Sequence, residues 1–184
     1  MKNKIVFVIF PVLIIVPGFL TYNLYNKNKS PLINQPISPI INSPVTSSTS
    51  VVYKNSDFGF TFSLPDNWIG YTIVNNTWEG NPLAKNKPKE FGTKLIIRNP
   101  KWTSTLPYED IPVLVFTLTQ WESYLKEEFS VSAAPILASE LDRNNAYVFA
   151  LPPRWNFDYS EGYVEAENII KSNPLKGYII QTKQ

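Results

Sequence analysis

Carboxylates are the only plentiful side chains in this sequence suited to acid–base chemistry. Glu109-Asp110 precedes an apolar run, and Asp158 and Glu161 precede a helical pattern. Two carboxyl groups at a suitable separation support glycoside hydrolysis, one as acid and the other as base or nucleophile. The opposing reading makes all four turn and cap residues on a solvated surface, because acidic side chains are mostly exposed and helix starts favour them. Glu127-Glu128 reads as solvated helix surface in the same way. The 184 residues contain no histidine and no cysteine. Ser-His-Asp and Cys-His catalysis, thiolate metal sites and disulfides are thereby excluded. The seven glycines are scattered and match no phosphate-binding loop. The expectation is a protein that is not an enzyme, with no cofactor and no metal.

The most unusual loop is residues 152–159, PPRWNFDY, which sets Arg154 among Trp155, Phe157 and Tyr159. Arginine and tryptophan are enriched at interface hot spots, and a guanidinium stacks on aromatic faces. Arg154, Trp155, Phe157 and Tyr159 are therefore the candidate binding residues, with Trp102 and Trp78, beside polar loops, as possible members of the same surface. The alternative is that Trp155, Phe157 and Tyr159 close the core while Arg154 pairs with Asp158. Lys85, Lys87 and Lys89 read as a solvated loop that keeps a strand edge from pairing. Asn75-Asn76-Thr77 matches a glycosylation acceptor, a tripeptide common by chance.

These groups need a scaffold, and the sequence supplies one beginning near Val51. Phe58, Phe60, Phe62 and Leu64 alternate with Gly59, Thr61 and Ser63, so four large apolar side chains share one strand face. Pro65 ends that strand, Asp66-Asn67 turn the chain, and Trp68 folds back over the core. Val51-Val52-Tyr53 pairs with it as a hairpin. Further strands are expected over residues 71–78 and 93–98, and over 112–118, whose continuous apolar run suits a strand buried on both faces. Thr119 with Glu122 has capping-box spacing, and Trp121, Leu125 and Phe129 form the apolar stripe of the helix that follows. Residues 135–141 and 146–151 make a second hairpin. A last helix spans residues 160–172, capped by Ser160, with Tyr163, Ala166 and Ile170 on one face. Residues 178–180 are an edge strand or a tail. The order β-β-β-β-β-α-β-β-α favours one mostly antiparallel sheet with two main helices packed on it.

Two segments precede this domain. Residues 5–20 are almost unbroken apolar sequence after Lys2 and Lys4. With Thr21, Tyr22, Leu24 and Tyr25 they suffice for a transmembrane helix, and no small-residue cleavage site follows. The expected organisation is a membrane anchor with flanks over residues 1–29, a Pro/Ser/Thr-rich uncharged and disordered linker over 30–50, and an α/β domain over 51–184. The lysines place the N-terminus in the cytoplasm and the domain outside it, with secretion after signal cleavage as the alternative. Past the linker, 13 of the 17 basic residues face all 15 acidic ones. Such a balance argues against nucleic acid as partner.

Tyr53, Asp57-Phe58-Gly59-Phe60, Leu64-Pro65 and Trp68 together resemble the opening of PsbP-like domains. The resemblance implies an α/β/α sandwich with a central antiparallel sheet and a closing strand and helix, similar in order to residues 146–172. It also implies non-enzymatic binding or assembly. The family's metal sites depend partly on histidine, so none is carried over. The expected function is a membrane-anchored binding or assembly module with a protein or envelope partner. The alternatives are a carboxylate-dependent hydrolase of envelope polysaccharide and a purely structural envelope protein.

Overall fold

The computed structural model describes residues 50–134 and 136–181. The expected anchor and the linker up to residue 49 lie outside them. Among the described residues, no helix is long and apolar enough to cross a membrane.

Strands β1 (Val51–Asn55) and β2 (Phe60–Leu64) form the expected antiparallel hairpin, with Val51 opposite Leu64 and Asn55 opposite Phe60. Asn55 builds its turn: its Oδ1 accepts from the N–H of Phe58 at 2.9 Å, and its carbonyl accepts from Gly59 at 3.0 Å. Period-two alternation is borne out for Phe60, Phe62 and Leu64, which are fully buried, whereas Phe58 lies in the turn before the strand, half-buried against the same core. Pro65 stops the strand and its carbonyl accepts from the N–H of Trp68 at 2.9 Å, closing a short 3-10 turn over Asp66–Trp68. Trp68 is buried with the same apolar set.

Strands β3 (Thr72–Pro82) and β4 (Glu90–Arg98) run longer than periodicity predicts. Their ladder continues from Thr72–Arg98 to Gly80–Glu90. Strand β5 (Ile111–Thr117) is buried over its first six residues, as its apolar run predicts, although both of its neighbours are antiparallel. Helix α1 (Leu118–Leu125) is capped two residues earlier than the Thr119 proposed from spacing. Thr117, still extended, is the cap. Its Oγ1 accepts from the N–H of Gln120, and the Gln120 Oε1 accepts from the N–H of Thr117, both at 3.1 Å. Gln120 also donates to the Phe91 carbonyl at 3.0 Å, which ties the cap to β4. The inward residues of α1 are consequently Trp121 and Tyr124, whereas Leu125 is 50% exposed. Phe129 leaves the helix for a short strand β6 (Phe129–Ser130) paired to the end of β3.

Strands β7 (Ser139–Arg143) and β8 (Tyr147–Leu151) make the second hairpin, with a register shift between Glu140 and Asp142. Helix α2 (Tyr163–Lys171) begins after Gly162, not at Ser160. Gly162 takes the left-handed conformation at φ 85°, which breaks the helix before Ser160 can cap it. Its inward residues are Ala166 and Ile169. Strand β9 (Leu175–Gly177) pairs with β2, and residues 178–180 follow without strand pairing.

The chain is therefore mixed α and β with antiparallel pairing throughout the named strands, but the expected single sheet is two. One holds three strands in the order β1-β2-β9, the other six in the order β6-β3-β4-β5-β8-β7. Residues on β5 alternate between two cores. Ile111, Val113 and Val115 join Phe60, Phe62, Trp68, Leu175 and the α2 residues Ala166 and Ile169. Leu114 and Phe116 join Trp78, Phe129 and the α1 residues Trp121 and Tyr124. The six-stranded sheet thus buries both faces. Helix α1 covers one, and the small sheet with α2 covers the other.

Candidate functional site

The corner that ends β2 and the start of α2 stand on either side of an open groove of about 860 Å³. Leu64, Pro65 and Asn67 line one side, and Tyr159 to Glu165 line the other. The same residues that fix the fold shape it: Pro65 holds the corner, and Gly162 lets the chain turn sharply into α2. Asn67 Nδ2 donates to Glu165 Oε1 between the two sides. Among the described residues, Glu161 and Glu165 are the only charged side chains in the lining.

Loop 152–162 reaches the groove through Tyr159 and the three residues after it. Phe157 is 71% exposed and Tyr159 68% exposed, and Tyr159 meets Tyr163 edge-on with ring centroids 5.1 Å apart. Arg154 is exposed. Arg154 and Tyr159 both hold left-handed backbone, at φ 51° and 52°, a strained conformation for residues with a Cβ. Arg154, Phe157 and Tyr159 share a second hollow of about 420 Å³ with Asn156 and Glu167, so Tyr159 belongs to both. Asn156 Nδ2 donates to Glu167 Oε1 at 2.6 Å, which fastens the loop to α2, and within the helix Lys171 Nζ donates to Glu167 Oε2 at 3.0 Å.

The six candidate binding residues divide. Arg154, Phe157 and Tyr159 gather around the second hollow. Trp155 is half-buried and packs against the main core. Trp78 is only 4% exposed, and its indole N–H donates to the Val115 carbonyl at 2.9 Å. Trp102 lies under the Arg98 guanidinium, 3.9 Å from the ring centroid. A shared surface for Trp78, Trp102 and Trp155 is therefore corrected. Trp78 follows the pleat of β3 into the second core, and Trp102 is taken by the arginine that ends β4. The expected Arg154–Asp158 pair is not among the ion pairs of the described residues.

Behind the groove wall sits a carboxyl that sequence reasoning assigned to the surface. Glu109 is 6% exposed, and its Oε2 is sealed from solvent with no hydrogen-bond partner. Its backbone N–H donates to the Glu161 carbonyl at 2.8 Å, and Tyr108 bridges Glu161 in parallel sense. Burial pushes its pKa up to about 7, and the charges of Asp158 and Asp110 add to the rise. Hydrogen bonds from the Ser160 hydroxyl and backbone oppose it. Asp110 turns the other way and accepts from Arg98 Nε at 3.1 Å and from the Asn99 N–H at 2.9 Å. The one signal in the sequence was adjacency: Glu109 stands two residues before a strand buried from its first residue. No group of three or more acidic side chains among the described residues is placed to hold a metal ion. Comparison with known proteins finds no matching family model, no similar curated protein and no similar solved structure.

Proposed function

We propose that this chain is a non-catalytic binding or assembly module, carried on an N-terminal membrane anchor and working outside the cytoplasm, that captures an extended apolar segment bearing a basic residue. The observation that carries it is the groove of about 860 Å³ with exposed Tyr159 in its lining and exposed Phe157 in the hollow that shares Tyr159. Exposed aromatics beside a concave apolar surface are typical of recognition sites. Charge complementarity selects the partner. Glu161 and Glu165 supply negative charge, Glu161 is exposed, and among the described residues no lysine or arginine lines the groove. The anchor rests on residues 5–20 and on Lys2 and Lys4. The PsbP-like opening and the layering of α1 and α2 on opposite faces of the larger sheet favour an α/β/α reading and a binding role.

The hydrolase alternative requires a raised carboxyl facing a substrate. Glu109 is the raised carboxyl, but its Oε2 points into the interior, which favours binding over bond cleavage.

Fluorescence anisotropy of the full chain with two labelled, capped hexapeptides tests this reading. One alternates leucine with lysine, the other leucine with glutamate. The lysine peptide is expected to bind saturably, and Glu161→Lys or the double change Phe157→Ala, Tyr159→Ala is expected to weaken it at least about ten-fold. Equal binding of both peptides, or binding of neither, overturns the assignment.

A further inference from the structure

Among the described residues, Glu109 is the only acidic or basic side chain in the interior. Its surroundings are unusual because nothing there neutralises a charge. Arg98 is committed to Asp110 at 3.1 Å and to the face of Trp102. Lys101 stands over the Tyr108 ring, 5.6 Å from its centroid. Neither forms an ion pair with Glu109. Asp158 and Asp110 press on it with like charge, and Ser160 is its one donor residue. A second orphan lies in the same contact layer: Asn99 Nδ2 is buried without an acceptor. That nitrogen is 3.7 Å from where a Cβ on Gly162 would stand.

What this layer supports is the groove wall. Ser160, Glu161 and Gly162 line the groove on one side and meet Tyr108, Glu109 and Asn99 on the other. The segment immediately before them includes the left-handed Tyr159. Such a residue holds its backbone only while its surroundings impose it.

We propose that the neutral Glu109 carboxyl is a latch on residues 158–162, so that its ionisation loosens the groove wall and releases whatever the groove has captured. The release half of this inference rests on the binding reading above. The sign follows from chemistry. A neutral carboxyl tolerates burial, whereas a carboxylate in the interior with two acidic neighbours and no cation must be hydrated. Water reaches Oε2 only if the contact between Glu109 and the 160–162 segment opens. With the carboxyl held up to about pH 7, the wall is closed under mildly acidic conditions and loosened under alkaline ones.

The test is amide hydrogen exchange of the full chain in detergent micelles, read by mass spectrometry and corrected for the intrinsic rate, from about pH 5.5 to about pH 8.5. Protection of residues 158–163 is expected to fall about ten-fold across that window in the parent protein and to stay flat in Glu109→Gln. Asp158→Asn changes an exposed side chain and removes one of the two repelling charges. It is expected to move the transition to lower pH, because Glu109 relieved of that neighbouring charge ionises at lower pH.

 In that variant the loss of protection levels off at a lower pH and is smaller in total than in the parent. In the parent it accumulates from the ordinary carboxyl range up to about pH 7 and is level beyond.

Three results overturn the latch: protection in the parent that does not change with pH, a transition that persists in Glu109→Gln, or an Asp158→Asn profile identical to the parent. Should Glu109→Gln fail to fold, the Asp158→Asn comparison decides alone. Binding of the leucine–lysine peptide at the acidic end of the window separates the two claims. Peptide binding without pH-dependent exchange removes the latch and leaves the groove. PH-dependent exchange without peptide binding removes the groove reading and, with it, partner release.

Discussion

Trp78 and Gly92 face each other across the β3–β4 ladder, and the indole occupies the space a side chain on Gly92 would need. A Cβ built on Gly92 would stand 2.4 Å from two carbons of the Trp78 ring. The absence of a side chain at Gly92 lets the ring lie flat over the sheet. There it reaches Phe116, with centroids 4.6 Å apart, and Phe129, nearly parallel at 6.0 Å.

Gly92→Ala is therefore expected to destabilise the protein by about 1–3 kcal/mol, the range for forcing extra volume into a packed site. Chemical denaturation followed by tryptophan fluorescence checks this. A variant as stable as the parent would mean that the ring has room to move.

Glu109 makes stability depend on pH with a definite sign. Its carboxyl is held up to about 7 in the folded protein, against an ordinary value of 4.5. The folded state therefore keeps a proton that the unfolded state releases. The stabilisation is complete below the unfolded value and is lost as pH rises through the folded one. At full size the loss is about 3 kcal/mol. Urea midpoints of the full chain are expected to fall between about pH 4.5 and about pH 7 and to level off above. Glu109→Gln should abolish that part of the slope, and an unchanged slope would assign it to other groups.

Thr117 is expected to be worth about 1 kcal/mol as the cap of α1. Thr117→Ala should lower the denaturation midpoint by that amount, and Thr117→Ser should restore most of it. If Thr119→Ala proves the costlier change, the cap lies where the bare spacing first suggested.

The exposed aromatics Phe157 and Tyr159 should separate binding from folding. Phe157→Ala with Tyr159→Ala is expected to change stability by no more than about 0.5 kcal/mol per site, as for most surface positions. Calorimetry on the variant that loses the lysine-peptide signal checks that the fold is intact.

The hairpin at the start of the domain was legible in the sequence. A strand with period-two alternation has one way to bury Phe60, Phe62 and Leu64 together, and Pro65 leaves it no way to continue. The same holds for β5, whose apolar run has no face to give to water. Local signals were weaker where two readings differed by a residue or two. Thr117 and Thr119 both precede a helical stretch with an acceptor-bearing side chain three residues on. Docking of Gln120 on the Phe91 carbonyl is a contact between segments far apart in the chain, and it accompanies the earlier start.

Only the tertiary structure decided the site. Phe157 and Tyr159 face out while Trp155 faces in, and a loop with no period gives no rule for telling them apart. Trp78 and Trp102 had the composition of a binding surface, yet Gly92 and Val115 hold Trp78 in the second core, and Arg98, itself paired with Asp110, covers Trp102. Glu109 was indistinguishable from Asp110 by type and position. One is sealed behind the groove wall and the other is paired at its edge, because burial and charge belong to the packed fold and not to the residue. By itself the sequence determined the elements, the two-sided burial of β5 and the lack of histidine and cysteine chemistry. Which side chains meet in the groove was set by contacts between residues roughly fifty to a hundred positions apart, such as Glu109 with Glu161 and Asn67 with Glu165.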